Sequence, residues 1–454
     1  MREFSFRLID PFKSGLRRFP EQSLTVQSLV KCYNARPTPF GLKPGPDPTF
    51  NNFDMELVWP YPMIHSGIME TLVLTATEIY ELDDLLAPIL KVTTESGDFW
   101  EIADFGKWLL LTNGVRTVIR DYRRGWSVGY SNEIPLMSSV CNFKGQLIGG
   151  CINSSWNNCD EQSIVWSDVG SADFTPNRTN IPGFMPSAEC GSIYKVRKLG
   201  DFVIVYGSGG IAALIPHENT FGLKKLTSLR VVSSAHIAEG EHSHLIYVSD
   251  IGELWLIKEN QQLERVAQIE PSSEVVLTYN PDDMEFYICG DEKSYILTKD
   301  GLCDTPLAIS SWAYLDDSLI CSGGTIEEDE SNPDLSTTDF LVVTDIIDSG
   351  MRRMKTLTAV EVGGSCGAGN PFYVAVEYRY DNNSLFTRSP WIRTTKEGAV
   401  FPNITAPEMR ICIKSSDPTT AYLQYVTCRI KLTDKRYVRG LYATDQANAR
   451  LDSQ

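Results

Sequence analysis

Three histidines near the middle of the chain have the spacing that best suits chemistry. His236, His242 and His244 fall within one stretch of nine residues. Because alternate residues of a β-strand point to the same face, His242 and His244 on one strand could bind a metal ion, with His236 or Glu241 as a third ligand. The same spacing also fits an exposed loop between two strands. We expect neither a bound cofactor nor a metal site, and His242 and His244 are the candidate ligands should a metal bind.

Other patterns lack the parts that catalysis needs. Gly207-Ser-Gly-Gly follows an apolar run, as a phosphate-binding loop would, but no Lys-Ser/Thr pair comes after it, and a hairpin turn is predicted instead. Two carboxylates could hydrolyse a glycosidic bond, and acidic residues are abundant, yet no motif singles out a pair. A Gly-x-Ser-x-Gly motif in a strand–turn–helix context is missing. We therefore predict that the protein is not an enzyme.

Tryptophan offers a different chemistry, the stacking of sugars. Trp126, Trp156 and Trp166 lie in or beside turn-rich segments, among them 151–160 and 168–186, which read as long surface loops. Exposed, such rings would form a platform for a sugar, as in lectin propellers. The same rings could equally pack in the core between sheets, and both interpretations stay open.

The elements that must position these residues are short β-strands. Residues 274–301 contain three runs rich in β-branched and aromatic residues, separated by Asn280-Pro-Asp-Asp and Gly290-Asp-Glu-Lys. Pro, Asn, Asp and Gly set turn dihedral angles, so each break should reverse the chain. The pattern predicts one four-stranded β-propeller blade, with the strands Val275–Tyr279, Glu285–Cys289, Ser294–Thr298 and Leu302–Ile309.

Similar units recur roughly every 40–50 residues, a period typical of propellers. The one helical candidate, Tyr80–Leu90, is interrupted by Pro88 and overlaps the predicted strand Glu78–Leu82. The sequence therefore predicts an all-β fold, a β-propeller of about five to seven four-stranded blades. An extended N-terminal arm precedes this propeller, and a C-terminal antiparallel β-sandwich-like domain follows it.

Four segments are predicted along the chain. Residues 1–60 form the arm, because Arg36–Phe50 holds five prolines and two glycines. A disordered leader is the alternative. The propeller spans 61–350, the β-sandwich-like docking domain spans 351–440, and 441–454 is a polar tail.

Charge is distributed unevenly. The chain carries −17 overall, whereas residues 1–45 carry +5, residues 351–440 carry +7, and the segment 46–350 between them carries −28. An acidic body between basic ends argues against a protein that coats nucleic acid. It fits either a solvated acidic surface or an assembly protein whose acidic face is turned toward something it must not bind.

Cysteine usage and hydropathy indicate the compartment. The eleven cysteines are odd in number and lack a regular framework, which favours reduced, buried thiols and folding in a cytosol. The N-terminus lacks the apolar core of a signal peptide, and no run approaches the ~18 apolar residues of a membrane span. We expect no membrane span.

Three local motifs together resemble a known family. They are Asn34-Ala-Arg-Pro, the segment Ile164-Val-Trp-Ser-Asp-Val-Gly followed by Asp173-Phe174, and Asp434-Lys-Arg-Tyr-Val-Arg-Gly. The set is similar to the β-propeller tail proteins of bacteriophages, which are tail hub, nozzle or head-closure components and include packaged-DNA stabilisation proteins. The order of arm, propeller and β-sandwich end also resembles this family. The segment 153–160 and the acidic run 327–330 do not match it.

The resemblance implies a structural virion protein, a subunit of a tail hub or nozzle ring. It implies a homo-oligomeric ring, six-fold by analogy, below the portal and adaptor and in contact with tail fibre or needle proteins. DNA would pass through without specific binding, because an acidic lumen repels phosphates. The protein would be assembled in the bacterial cytoplasm and reside in the virion tail.

Candidate site residues follow from this interpretation. The basic and aromatic candidates for docking neighbouring subunits are Arg17, Arg18, Arg36, Phe40, Arg352, Arg353, Lys435, Arg436 and Arg439. The acidic candidates for the channel wall are Asp282, Asp283, Asp291 and Glu292. Two alternative functions stay open: a phage receptor-binding or tail decoration protein, and a cellular β-propeller that binds or hydrolyses glycans.

Overall fold

The fold was obtained as a computed structural model. It describes residues 3–16, 18, 28–50, 61–65, 68–82, 87–97, 100–105, 108–121, 123–128, 134–153, 156–176, 182–218, 220–315, 318–326, 340–347, 354–365, 372–381, 383–415 and 420–432, with the backbone alone at 61–65, 68–71, 313–315 and 318. Nearly all regular structure in these residues is β-strand. One short α-helix, α1 (Asp10–Ser14), and two 3-10 turns, Trp156–Asn158 and Ser234–His236, complete it.

The strands are numbered in chain order. Those before residue 130 are β1 (Glu3–Leu8), β2 (Leu29–Tyr33), β3 (Ala35–Thr38), β4 (Gly41–Pro44), β5 (Thr49–Phe50), β6 (Tyr61–His65), β7 (Ile68–Leu74), β8 (Glu78–Leu82), β9 (Pro88–Thr93), β10 (Glu101–Asp104), β11 (Trp108–Thr112), β12 (Thr117–Asp121) and β13 (Gly125–Val128). Those from 130 to 270 are β14 (Met137–Phe143), β15 (Gln146–Ile152), β16 (Ser163–Trp166), β17 (Gly183–Pro186), β18 (Ile193–Leu199), β19 (Phe202–Gly207), β20 (Gly210–His217), β21 (Thr220–Thr227), β22 (Ile237–Glu239), β23 (Ser243–Val248), β24 (Glu253–Lys258) and β25 (Leu263–Gln268).

The remaining strands follow residue 270. They are β26 (Val276–Asn280), β27 (Glu285–Cys289), β28 (Ser294–Leu297), β29 (Leu302–Thr305), β30 (Leu307–Leu315), β31 (Ser318–Thr325), β32 (Phe340–Thr344), β33 (Lys355–Ser365), β34 (Tyr373–Arg379), β35 (Thr387–Arg388), β36 (Ile392–Arg393), β37 (Ala399–Val400), β38 (Ile404–Ala406), β39 (Glu408–Ser415) and β40 (Tyr422–Leu432).

The chain forms two compact units. Unit 1 comprises 1–47, 293–306 and 325–454, and unit 2 comprises 48–292 and 307–324. This division differs from the predicted segments 1–60, 61–350, 351–440 and 441–454. The predicted boundaries followed local composition, whereas the units are defined by strand pairing between segments far apart in sequence.

Unit 2 holds the β-propeller. Five four-stranded antiparallel sheets follow one another as β6–β9, β10–β13, β14–β17, β18–β21 and β22–β25, and the hairpin β26–β27 continues the series. The whole is a six-blade propeller arrangement with additional sheets, which confirms the predicted all-β propeller. First strands of neighbouring sheets contact one another, as β10 does with β14 and β14 with β18, so the first strands lie innermost.

Apolar layers between successive sheets form the core of unit 2. One such layer joins the first and second sheets through residues such as Leu74 and Leu111, and another joins the fourth and fifth through Ile204 and Ile246. Central strands such as β19 are buried on both faces, which explains its almost uninterrupted apolar sequence. In the part of the chain that the structure describes, no helix is long and apolar enough to span a membrane.

Turn chemistry places the strands as predicted from the sequence. Asn113 and Gly114 connect β11 to β12, where Asn113 Oδ1 accepts backbone N–H groups from Val115 and Arg116 at 3.1 and 2.8 Å, and Gly114 has a φ of +80°. Ser208-Gly209 turns β19 into β20, so the glycine-rich segment is a hairpin turn, as predicted. In the candidate helix Tyr80–Leu90, residues 80–82 belong to β8 and residues 88–90 to β9.

A strand from the N-terminal side completes the last sheet of unit 2. β5 pairs parallel with β31, with Thr49 opposite Ile320 and Phe50 opposite Cys321. β5, near the start of the chain, is thus an edge strand of a sheet whose other strands, β30 and β31, lie after residue 306. Deleting this segment would open a sheet edge in the propeller.

Unit 1 also combines both ends of the chain. β2 lies between β29 and β32 in a sheet that continues through β39 and β34, while β1 and β4 both pair with β40. The prediction of an extended arm therefore differs from the structure over most of residues 3–50. Within the proline-rich segment, β3 and β4 form a hairpin, and Leu42 on β4 pairs with Leu423 on β40, so the segment is part of a sheet.

The stretch 274–301 contains the predicted strands within one residue, at β26, β27 and β28. The fourth predicted strand, Leu302–Ile309, is divided into β29 and the start of β30. β26 and β27 belong to unit 2, whereas β28 and β29 belong to unit 1, where β29 pairs parallel with β2. Local turns could not reveal this division, because the partner strand lies some 270 residues away.

Candidate functional site

A charged cluster lies on the first strands of four successive sheets in unit 2. Arg197 on β18 forms ion pairs with Glu101 on β10 and with Glu239 on β22. Its Nη1 also donates to the Val196 carbonyl at 2.8 Å and to Ser139 Oγ on β14 at 3.2 Å. Because first strands lie innermost, the Arg197 guanidinium links four blades close to the propeller centre.

The cluster is sealed on the side of the second and third sheets. Glu101 and Ser139 are buried, and Ser139 Oγ donates to Glu101 Oε2 at 3.2 Å while accepting the Val196 N–H at 3.0 Å. Glu239 is the solvent-facing member, with 44% of its side chain exposed. A buried guanidinium with two carboxylates and three further acceptors is fully paired, which is what burial of charge requires.

A second cation lies beside the first. Lys195 is buried on the same strand, and its Nζ donates to the carbonyls of Ile237 and Ser234 at 3.1 and 3.4 Å. Burial lowers the pKa of Lys195 to about 7, and the neighbouring Arg197 acts in the same direction, while Glu101 opposes it. The centre therefore holds charges of both signs.

His244 extends this polar region and is neutral. Its Nδ1 lies 2.7 Å from the Tyr206 hydroxyl, and both side chains are buried. Burial lowers the pKa of His244 to about 3, and the cations Arg197 and Lys195 add to this effect. We assign His244 the tautomer with its proton on Nε2. In this tautomer Nδ1 is an acceptor, and the Tyr206 hydroxyl donates to it.

Stability should fall in mild acid because of His244. Its pKa lies below that of an unfolded histidine, so the unfolded state binds the proton first, and stability is lost as pH falls below about 6.5. Between about pH 7 and pH 5 this loss amounts to about 2 kcal/mol. H244Q should reduce the pH dependence of the thermal unfolding midpoint in this range. An unchanged pH dependence in H244Q would show that another group, such as buried His236, is responsible.

The two metal-ligand candidates, His242 and His244, are not brought together. His242 lies before β23, with 72% of its side chain exposed, and its Nδ1 is 3.1 Å from Glu259 Oε1, whereas His244 points into the interior. His236 is buried edge-on against Tyr247. Among the described residues no group of three or more His, Cys, Asp or Glu side chains could hold a metal ion. The two imidazoles share no face, because His242 lies outside β23.

The acidic channel candidates do not join the central cluster. Asp282 and Asp283 lie in the turn after β26, and Asp291 and Glu292 follow the other end of β27. All four are exposed. The two pairs are separated by the length of a strand, so they form no single patch, and their place on a channel wall stays a prediction.

The docking candidates divide into three groups. Phe40 is 74% exposed at the tip of the β3–β4 hairpin. Arg18 donates to the Asp300 carbonyl, and Arg36 donates to the Pro44 carbonyl at 3.3 Å, so both bind backbone of unit 1. The remaining candidates lie outside the described residues: Arg17, Arg352, Arg353, Lys435, Arg436 and Arg439.

The mid-chain motif of the resemblance has a structural role in the third sheet. Trp166 is buried between the third and fourth sheets and contacts Phe221 edge-on at 5.2 Å. Ser167 Oγ accepts the Leu147 N–H at 2.9 Å, and Phe174 is fully buried. Trp166 is therefore a core residue and no sugar platform.

The other two tryptophans and the cysteines have different settings. Trp126 Nε1 donates to Glu81 Oε1 at 2.9 Å, which joins the second sheet to the first. Trp156 is half-buried and contacts Phe184. No disulfide joins the ten cysteines that the structure describes.

Sequence reasoning missed the central cluster. The signal was present in Ile193–Leu199 (IYKVRKL), where Lys195 and Arg197 alternate within a run whose other residues suit a buried strand. Charged residues at alternate positions of an inner strand require buried partners. The partners Glu101 and Glu239 come from other sheets, so only the fold identifies them.

No protein-family model matches this chain, and no curated protein matches its sequence. Solved structures resemble it at low identity. Streptogramin B lyase is 9% identical with a TM-score of 0.43, over 60% of this chain and 93% of that one. Hsv2 of Kluyveromyces lactis is 11% identical with a TM-score of 0.33, over 59% and 85%. YCF48 bound to D1 peptide is 8% identical with a TM-score of 0.38, over 62% and 98%. These likenesses concern the β-propeller fold and assign no activity.

Proposed function

We propose that the protein is a structural virion protein, a subunit of a bacteriophage tail hub or nozzle ring that closes or extends the DNA channel below the portal and adaptor. The observation that carries this proposal is the separation of charge between the two units. Unit 2 has 16 Lys/Arg against 35 Asp/Glu, a net charge of −19, whereas unit 1 carries +2. Such asymmetry favours contacts between unlike surfaces of neighbouring copies.

The central cluster bears on where DNA would pass. Arg197 joins the first strands of four sheets through Glu101, Ser139 and Glu239, so side chains occupy the space between these strands. A DNA duplex is far wider than that space. In this proposal several copies of the chain enclose the channel. The excess acidic charge of unit 2 lies away from the centre of the propeller, on surfaces where it would repel the phosphates of the DNA.

Phe40 is a suitable anchor for a neighbouring subunit. The hairpin that carries it is held by Thr38 Oγ1, which donates to the Gly41 carbonyl at 2.7 Å. Gly41 has a φ of +142°, and a Cβ there would collide with the Leu423 carbonyl, so this position requires glycine. A rigid turn that presents an exposed aromatic ring loses little entropy on docking.

We expect the full-length chain to form a closed ring at low ionic strength, measured by native mass spectrometry and electron microscopy. Raised salt should dissociate the ring, because the contacts are between opposite charges. F40A should raise the protein concentration needed for half of the chains to assemble by about tenfold or more. It should leave the thermal unfolding midpoint unchanged. F401A, which removes another exposed aromatic of unit 1, is the matched control. A monomer at every concentration and salt tested would contradict the proposal.

A further inference from the structure

Two aromatic side chains meet at the solvent-facing edge of the third sheet. Phe184 lies on β17, the last strand of that sheet, and is 43% exposed. Its ring centroid is 6.0 Å from that of Trp156, with the planes at 76°. Trp156 packs in part against the apolar layer that contains Cys159 and Phe174. Trp156 thus fixes the pair against the interior of the sheet, and the Phe184 ring is accessible to solvent.

The loop that carries Trp156 is held by its own hydrogen bonds. The Cys159 N–H donates to the Trp156 carbonyl at 2.8 Å, and the Ile152 N–H donates to the Asp160 carbonyl at 3.1 Å. Asp160 Oδ1 accepts from the Gln162 N–H at 3.0 Å and from Ser163 Oγ at 2.8 Å. The loop therefore presents its side chains in one conformation, which lowers the entropic cost of binding.

Two amide side chains directly follow Trp156 in the same loop. Asn157 and Asn158 are both exposed and both have left-handed backbone, with φ of 48° and 60°. Neither side chain forms a hydrogen bond with any residue that the structure describes. Asparagine adopts left-handed backbone more readily than most residues other than glycine, which accounts for two asparagines at these positions. Each amide can both donate and accept, as the hydroxyl groups of a sugar require.

We propose that Trp156, Phe184, Asn157 and Asn158 form a binding site for a neutral pyranose sugar. An aromatic ring packs against the C–H face of a pyranose, and the amides satisfy its hydroxyl groups. This inference is independent of the tail-ring proposal. It concerns a different surface and would hold for a receptor-binding protein as well.

The surrounding charge selects a neutral ligand. Asp160 and Glu161 are exposed beside the amides, and the propeller unit carries −19 in total. A phosphorylated ligand, a nucleic acid or a uronic acid would be repelled at this surface. A neutral hexose has hydroxyl groups and an apolar face and pays no such penalty.

Saturation-transfer NMR of the full-length chain tests the site with methyl β-D-glucopyranoside, methyl β-D-galactopyranoside and N-acetylglucosamine as probes, and with glucuronic acid as the charged counterpart. We expect at least one neutral probe to bind and glucuronic acid to bind more weakly. F184A should weaken binding by about fivefold or more, the loss that one aromatic contact carries. F401A should bind as the unaltered chain does.

A second variant separates a loss of binding from a loss of folding. N157G/N158G removes both amides, and glycine accepts the left-handed backbone without strain, so the thermal unfolding midpoint should not fall. Its affinity for the neutral probe should drop by about fivefold or more. The proposal is overturned if no neutral probe binds, if binding is unaffected in both variants, or if F184A changes self-association and leaves sugar binding intact.

Discussion

R197M should lower the stability of the propeller by about 3–5 kcal/mol, the cost of leaving a buried charge without its partner. Arg197 forms an ion pair with Glu101, which is only 4% exposed. Methionine fills a similar volume but carries no donor, so both Glu101 and Ser139 lose a hydrogen-bond partner. Thermal and urea unfolding of the full-length chain measure the change.

Two comparisons separate the buried pair from an ordinary ion pair. E101Q/R197M should be more stable than R197M alone, because the glutamine leaves no unpaired charge, and the non-additivity should exceed about 1 kcal/mol. K258M breaks the exposed pair of Lys258 with Glu264 and should cause no measurable change. Equal effects of R197M and K258M would mean that the central cluster does not join the blades.

L29D should destabilise unit 1 by about 4 kcal/mol or more, since it places an unpaired carboxylate in a buried strand. Leu29 is 1% exposed on β2, the strand between β29 and β32. Loss of β2 would open two sheet edges at once. Limited proteolysis with mass spectrometry should then find new cleavage sites in 340–432, while residues 193–258 of the propeller stay protected.

The adjacent residue on the same strand is the matched control. Val30 is 46% exposed, at an irregularity in the pairing of β2 with β32. V30D should leave stability within about 0.5 kcal/mol of the unaltered chain. If L29D were as stable as V30D, the N-terminal segment would be a dispensable arm, as its proline content alone predicts.

Strand positions were accessible from the sequence because they depend on short-range physics. The predicted strands Glu285–Cys289 and Glu78–Leu82 match β27 and β8 at both ends. Turn-forming residues stop each run, and alternation of apolar residues marks buried faces. The same local reasoning predicted the hairpin turn at Ser208-Gly209.

Pairing over long distances was not accessible. β2 pairs with β32 about 310 residues later, and β1 pairs with β40 more than 400 residues later. In the proline-rich segment Arg36–Phe50, β3 and β4 pair with each other, and β4 also pairs with β40. Proline content predicted neither pairing, and it carries no information about a distant partner. The prediction of an arm therefore missed strands that belong to the sheets of unit 1.

The three histidines separate the two kinds of information most clearly. The sequence by itself determined that His242, His244 and His236 lie close along the chain, and it determined the all-β fold, because strand periodicity and turns are local properties. Only the tertiary structure decided that His244 is buried against Tyr206, that His242 faces solvent, and that Arg197 brings together charged and polar groups from four sheets. Burial and charge pairing depend on residues that the chain brings together from distant positions, and a linear pattern does not record those contacts.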